Sequence, residues 1–140
     1  MIRDLVLQDI PAICQIYQDS NLDVRVSYHH GATGWVTEHN GVLCAYAMVK
    51  FIGMDVWVLG LGVDKNVRGG MMAYSLARYG LNKCKKLGYK KVYFSTRRSN
   101  IKIARLVTKL GAKPIDVRPN YYISPKEDAI VGLIELGDSL

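Results

Sequence analysis

The residues best placed to do chemistry are Arg68, Gly69 and Gly70. They stand between an apolar run ending at Val63 and a helical pattern that opens with Met71, Met72 and Ala73. A strand that turns directly into a helix aims several unpaired N–H groups at one point, where the helix dipole favours negative charge. Glycine lets a bulky ligand approach the backbone, and the Arg68 guanidinium would add a forked donor. That chemistry is phosphate binding. The turn carries neither G-x-x-x-x-G-K-S/T nor G-x-G-x-x-G, so taken alone it also fits a plain strand-to-helix connection. The three cysteines, Cys14, Cys44 and Cys84, are odd in number, widely spaced and set in apolar or helical patterns. Without CxxC or clustered Cys/His spacing they read as reduced thiols of a cytoplasmic chain and give no zinc site.

The elements that must hold the turn follow from periodicity. Ile2 to Leu7 is a strand candidate, and Asp9 can cap a helix with Ile10, Ile13, Ile16 and Tyr17 on its apolar face. Residues 21–33 keep no period and read as a loop or short helix. Asn40-Gly41 between GWVTEH and VLCAYAMV is a strong hairpin signal. MDVWVLGLGV is a further, mostly buried strand. From Arg68 to Gly88 a stripe of Ala73, Leu76, Ala77, Gly80, Leu81, Cys84 and Leu87 marks a helix with glycine at its end. KKVYFST is a strand, and Ser99 can cap a second helix bearing Ile103, Val107 and Leu110. PIDV, a turn at Pro119-Asn120, YYIS and AIVGLIEL form a strand-rich tail. The order is β-α-loop-β-β-β-α-β-α-β-β, with a parallel crossover around the central helix.

Length and composition suit one globular domain over residues 1–140, without a secretory signal, a membrane span or a linker. Charge is unevenly spread. Residues 65–118 hold fifteen of nineteen Lys and Arg and one acid, a net +14, whereas residues 1–64 carry −4 and 119–140 carry −3. The middle of the chain therefore suits an anionic ligand or partner, or simply two helices with lysine-rich solvent faces.

At the glycine turn the sequence resembles the GNAT superfamily of N-acetyltransferases, whose signature R/Q-x-x-G-x-G/A opens the acetyl-CoA-binding helix. Arg68 takes the Arg/Gln position, Met71 the first glycine and Ala73 the final Gly/Ala. Leu61-Gly62-Val63-Asp64 stands where the preceding strand ends, with Lys65 replacing its proline. SNIKIARLVTKLGA is similar to the second CoA-contacting helix. There Asn100 and Gly111 match, while Ile103, Val107 and Ala112 replace alanine, tyrosine and phenylalanine. MIRDLVLQDIPAI also looks like the family's N-terminus. The resemblance implies the α/β GNAT fold: a mixed, mostly antiparallel sheet of about six or seven strands, a splayed central parallel pair, and helices on both faces.

It further implies an acetyl-CoA-dependent enzyme in which a primary amine attacks the thioester directly. The turn Arg68, Gly69, Gly70, Met71, Met72 and Ala73 would bind the pyrophosphate. Leu61, Gly62 and Val63 would line the pantetheine arm, with a backbone oxyanion donor near Leu61, and Asn100 would reach the same arm. Valine at 107 cannot protonate a thiolate, and VWVLGLGV carries no acid after Asp55 to serve as a base. Proton handling then falls to Ser95, Tyr121, Tyr93, Tyr122, the pair His29-His30, or water; Tyr28, His29 and His30 belong to the loop that the family places over the acceptor. Met71 and Met72 read as core residues. The acceptor is a small-molecule or protein amine. A CoA-binding module without catalysis and a nucleic-acid-associated basic protein are the competing readings; the basic residues lack the interleaved aromatics of single-strand binders. A homodimer is an expectation from the strand-rich C-terminus, and a bacterial or phage origin from the short chain.

Overall fold

The computed structural model describes residues 1–19, 32–67, 71–123 and 125–137. Strand β1 (Ile2–Asp4) ends three residues earlier than its apolar run, and a short 3-10 turn at Leu7–Asp9 leads into α1 (Ile10–Asp19). Asp9 is the reason. Its carboxylate accepts the Val6 N–H at 2.9 Å and takes two N–H donors from Arg3 at 2.9 and 2.8 Å. The expected helix cap thus acts one turn upstream, folding the chain between β1 and α1.

Strands β2 (Ala32–His39) and β3 (Val42–Ile52) form the predicted hairpin, with Asn40 at φ 52° and Gly41 at φ 79°. Both turn residues are left-handed, which matches the strand twist. Along β3 the pleat sends Ala45, Ala47 and Val49 to one face and Tyr46 and Met48 to the other. Helix α1 covers the second set through Ile13 and Ile16. The first set packs against Leu76 and Cys84 of α2 (Met71–Lys86), in a cluster that also takes in Leu106, Val107 and Leu110 at the end of α3 (Ile101–Lys109). Helices therefore lie on both faces.

The sheet runs β1-β2-β3-β4-β5-β7-β6, with β4 as Asp55–Val63, β5 as Lys91–Arg97, β6 as Lys113–Ile123 and β7 as Lys126–Glu135. All neighbours are antiparallel except β4 and β5. That parallel pair is in register only at Asp55–Lys91, Val56–Val92 and Trp57–Tyr93. Beyond it, β4 continues along β3 while β5 continues along β7, so the sheet opens. Among the described residues no helix is long and apolar enough to cross a membrane.

Four local expectations need correction. Asn100, not Ser99, caps α3: its Oδ1 accepts the Ile103 N–H at 3.2 Å, while the Ser99 N–H donates to Glu127 at 2.6 Å. Pro119-Asn120 makes no reversal. It is a wide bulge in β6, where Arg118 faces Ala129 and Tyr122 faces Glu127, and the Asp128 carboxylate takes the Asn120 N–H at 2.9 Å. Asn120 bends left-handed inside the strand, at φ 54°. Leu87 lies past the last helical turn and is exposed, and Met71, at the first helical position, is 71% exposed. Met72 does pack against the core. The loop expected over residues 21–33 falls mostly outside the described residues.

Candidate active site

The opening between β4 and β5 is a cavity of about 520 Å³ that reaches both faces of the sheet. On one side it meets Ala77, Gly80 and Cys84 of α2 and Ile103 and Val107 of α3; on the other it meets Tyr17, Tyr46, Arg97, Arg118 and Tyr122. Small residues along α2 leave the first side open to a slender chain. Burial pushes the Cys84 thiol up to about 11, so it lines the wall as a neutral group.

The β4 wall owes its shape to a bulge. Val58 faces Val49 and Gly60 faces Met48, so Leu59 is an extra residue. The bulge resets the alternation. Val56 and Val58, then Leu61 and Val63, all reach the α2 side, whereas Gly60 and Gly62 lie beneath the Tyr46 ring. A Cβ on Gly62 would stand 2.6 Å from the ring, and one on Gly60 3.0 Å. Neither position can carry a side chain while the ring stays there. The phenol is deeply buried, and desolvation first, then Tyr17 and Cys14, push its ionisation well above the usual tyrosine range.

The backbone of β4 supplies donors. The Asp64 N–H bonds the Cys44 carbonyl of β3 at 2.7 Å. Strand alternation then turns the N–H groups of Val63 and Leu61 away from β3, toward the side that β5 has left. Two donors with no backbone partner among the described residues, on a rigid strand, suit an oxyanion or a carbonyl oxygen. Ser95 sits on β5 just past the last pair with β4 and lines the same cavity, as do Leu61, Asn100 and Tyr121. Asn100 spends its Oδ1 on the helix cap, which leaves its NH2 for a ligand.

The rest of the expected set distributes as follows. Gly62 and Val63 continue the β4 wall, and Met71, Met72 and Ala73 form the first turn of α2. Arg68, Gly69 and Gly70, with Tyr28, His29 and His30, lie outside the described residues. The charged residues lining the cavity are Arg97 and Arg118, and no carboxylate or histidine lines it among the described residues. Arg97 is 8% exposed and donates to the Pro125 carbonyl at 2.8 Å and to Glu127 at 3.2 Å. Hydrogen bonds from Ser99, and then the Arg97 guanidinium, hold the Glu127 carboxyl below the usual range. Tyr46 and Arg118 do not stand out in the sequence, and Tyr17 reads there only as part of the apolar face of the first helix. Glycines spaced two apart in LGLGV are a signal for a ring lying across the strand, but only the β3–β4 register says whose.

Residues 2–112 match the model of the acetyltransferase (GNAT) family. A Bacillus subtilis protein described as a putative ribosomal protein bS18-alanine N-acetyltransferase is 24% identical over 145 residues, covering 98% of this chain and 96% of its own. The fold superposes on the ribosomal-protein-S18-alanine N-acetyltransferase of Escherichia coli with a TM-score of 0.89 at 21% identity, covering 100% of this chain and 96% of that one. A Salmonella typhimurium protein solved with its cofactor acetyl-CoA gives 0.81 at 19% identity, with 100% and 95% covered.

Proposed function

This chain belongs to the acetyltransferase (GNAT) family and is an acetyl-CoA-dependent N-acetyltransferase, and from that premise we propose that its acceptor is the α-amine of a protein N-terminus. The observation that carries this is the absence of a carboxylate or histidine from the cavity lining among the described residues. An amine attacks only when neutral. With no base among the described lining residues, the acceptor's own pKa sets how much of it is ready. An α-amine, with a pKa near ~7.7–8.0, is roughly a tenth neutral at pH 7; a lysine amine, near ~10.4, is neutral to well under about a thousandth. The exposed Arg118 adds positive potential, which lowers the pKa of a bound ammonium further.

The proposed roles follow from position. The first turn of α2 and the turn before it hold the phosphates. Leu61, Gly62 and Val63 flank the pantetheine arm, with the outward N–H of Leu61 or Val63 polarising the carbonyl. Acetyl-CoA supplies the activated acetyl group as a thioester. Access from both faces favours direct attack, with the amine entering from the α1 side. Ser95 and Tyr121, which line the cavity, would hydrogen-bond it and pass its proton to water. The departing thiolate, with a pKa near ~8.5, needs little acid help, which is compatible with Val107.

Peptides with a free N-terminal amine, alanine first because relatives are named for it, are compared with N-blocked peptides whose amine is a lysine. Thiol release from acetyl-CoA is followed across pH. Expected are turnover of the free N-termini alone and a kcat/KM that rises with pH along the titration of the acceptor amine. Faster turnover of the lysine peptides at neutral pH would sink the reading.

A further inference from the structure

The α1 side of the cavity ends in two aromatic rings set between two cations. The Arg97 guanidinium lies 4.4 Å from the Tyr122 ring centroid, Tyr122 meets Tyr121 edge-to-face at 5.1 Å, and the Arg118 guanidinium lies 5.9 Å from the Tyr121 ring. Register puts Arg97 and Arg118 on one sheet face, since both stand opposite Ala129, from its two neighbouring strands. The bulge in β6 begins directly after Arg118 and carries Tyr121 into the cavity wall.

The two cations differ in what they have left to offer. Arg97 is committed to Glu127 and to the Pro125 carbonyl. Arg118 is exposed, lines the cavity, and among the described residues meets no carboxylate within ion-pair distance. The nearby acids are spoken for. Glu127 holds Arg97 and Ser99, Asp128 holds Asn120 and Arg98, and Asp116, two residues away on β6, accepts the Val117 N–H. A guanidinium backed by an aromatic ring, with its donor fork free, is built to take a carboxylate in two parallel hydrogen bonds.

We propose that Arg118, set by the β6 bulge and the Tyr121–Tyr122 pair, is a specificity residue that selects acceptors carrying an acidic side chain shortly after the N-terminal residue. This rests on the α-amine reading above and refines it. A cationic residue at the same place in the acceptor meets the Arg118 guanidinium, which pairs with no carboxylate among the described residues. Discrimination therefore has an attractive and a repulsive part.

The test is a peptide panel with a constant N-terminal alanine and Asp, Ala or Lys scanned through the next few positions. Wild-type protein and the Arg118→Glu and Arg118→Lys variants are compared by kcat/KM at low and moderate salt. At one position Asp should exceed Lys by about tenfold or more, mostly through KM, with the ratio shrinking as salt rises. Arg118→Glu should reverse the order, and Arg118→Lys should keep its direction at smaller size. Because Arg118 is exposed on an edge strand, these variants should fold, and equal melting temperatures check that. Equal rates across the panel, or a preference unchanged in Arg118→Glu, overturn the proposal while the α-amine reading stands. No turnover of any peptide, with turnover of small amines, overturns both. Free amino acids carry a carboxylate beside the same amine and form a separate arm; their turnover in place of the peptides overturns the peptide assignment.

Discussion

Asp9 ties the first strand of the chain to the turn that leads into α1. It is 7% exposed, grips Arg3 through both oxygens and holds the Val6 N–H, while Arg3 reaches on to Glu38 at 2.7 Å. Hydrogen bonding from Arg3 holds its carboxyl below the usual range against the cost of burial. Since the folded pKa is depressed, the stabilisation is complete above the unfolded value near ~3.9 and is lost as pH falls through the folded value. Asp9→Asn is expected to cost about 1–2 kcal/mol at pH 7, given that Arg3 is one-third exposed, and to flatten the loss of stability on acidification. Urea unfolding from pH 7 down to pH 3 checks both, and an unchanged acid limb would remove Asp9 from the account. The sequence marked Asp9 as a cap. It could not show that Arg3, six residues from Asp9, would also hold Glu38, because the β1–β2 pairing brings those two together across 35 residues.

Among the elements, β4 decides whether there is a site at all. Three pairs with β5 hold the strands together, and then each follows a different neighbour. Its LGLGV segment was legible as a buried strand before a helix. The bulge at Leu59 and the Tyr46 ring over Gly60 and Gly62 were not, because both depend on β3. Gly62→Ala must move the ring or the strand and is expected to cost about 1–3 kcal/mol. Pairing it with Tyr46→Leu should recover part of that loss in a double-mutant cycle read by urea unfolding. Additive costs would mean that the ring and the glycine are not coupled. Helix α3 repeats the lesson on a smaller scale. Ser99 and Asn100 are both good caps on composition, and Glu127 on a distant strand settles the choice by taking the Ser99 N–H.

At the scale of the whole molecule, charge and fold point the same way. Helices α2 and α3 flank the cavity and contain Arg78, Lys83, Lys85, Lys86, Lys102, Arg105 and Lys109 without one acid. A polyanionic cosubstrate is attracted to such a surface. Acetyl-CoA at about a hundredfold over its Kd should stabilise the fold by about 2.7 kcal/mol and raise Tm accordingly, less so as salt rises. No shift at high excess would contradict binding. Local pattern determined the element order, the Asn40-Gly41 hairpin and the two glycine-stopped helices, because these depend on neighbours within a few residues and on apolar periodicity; the family came from the resemblance of its motifs. Tertiary structure alone decided that β4 and β5 part after Trp57, that Tyr46 lies over the glycines, that β6 bulges instead of turning, and that Arg118 lines the cavity on the same sheet face as Arg97. Each of these depends on register between strands far apart in the chain, and a one-residue slip would move every one of those side chains to the other face.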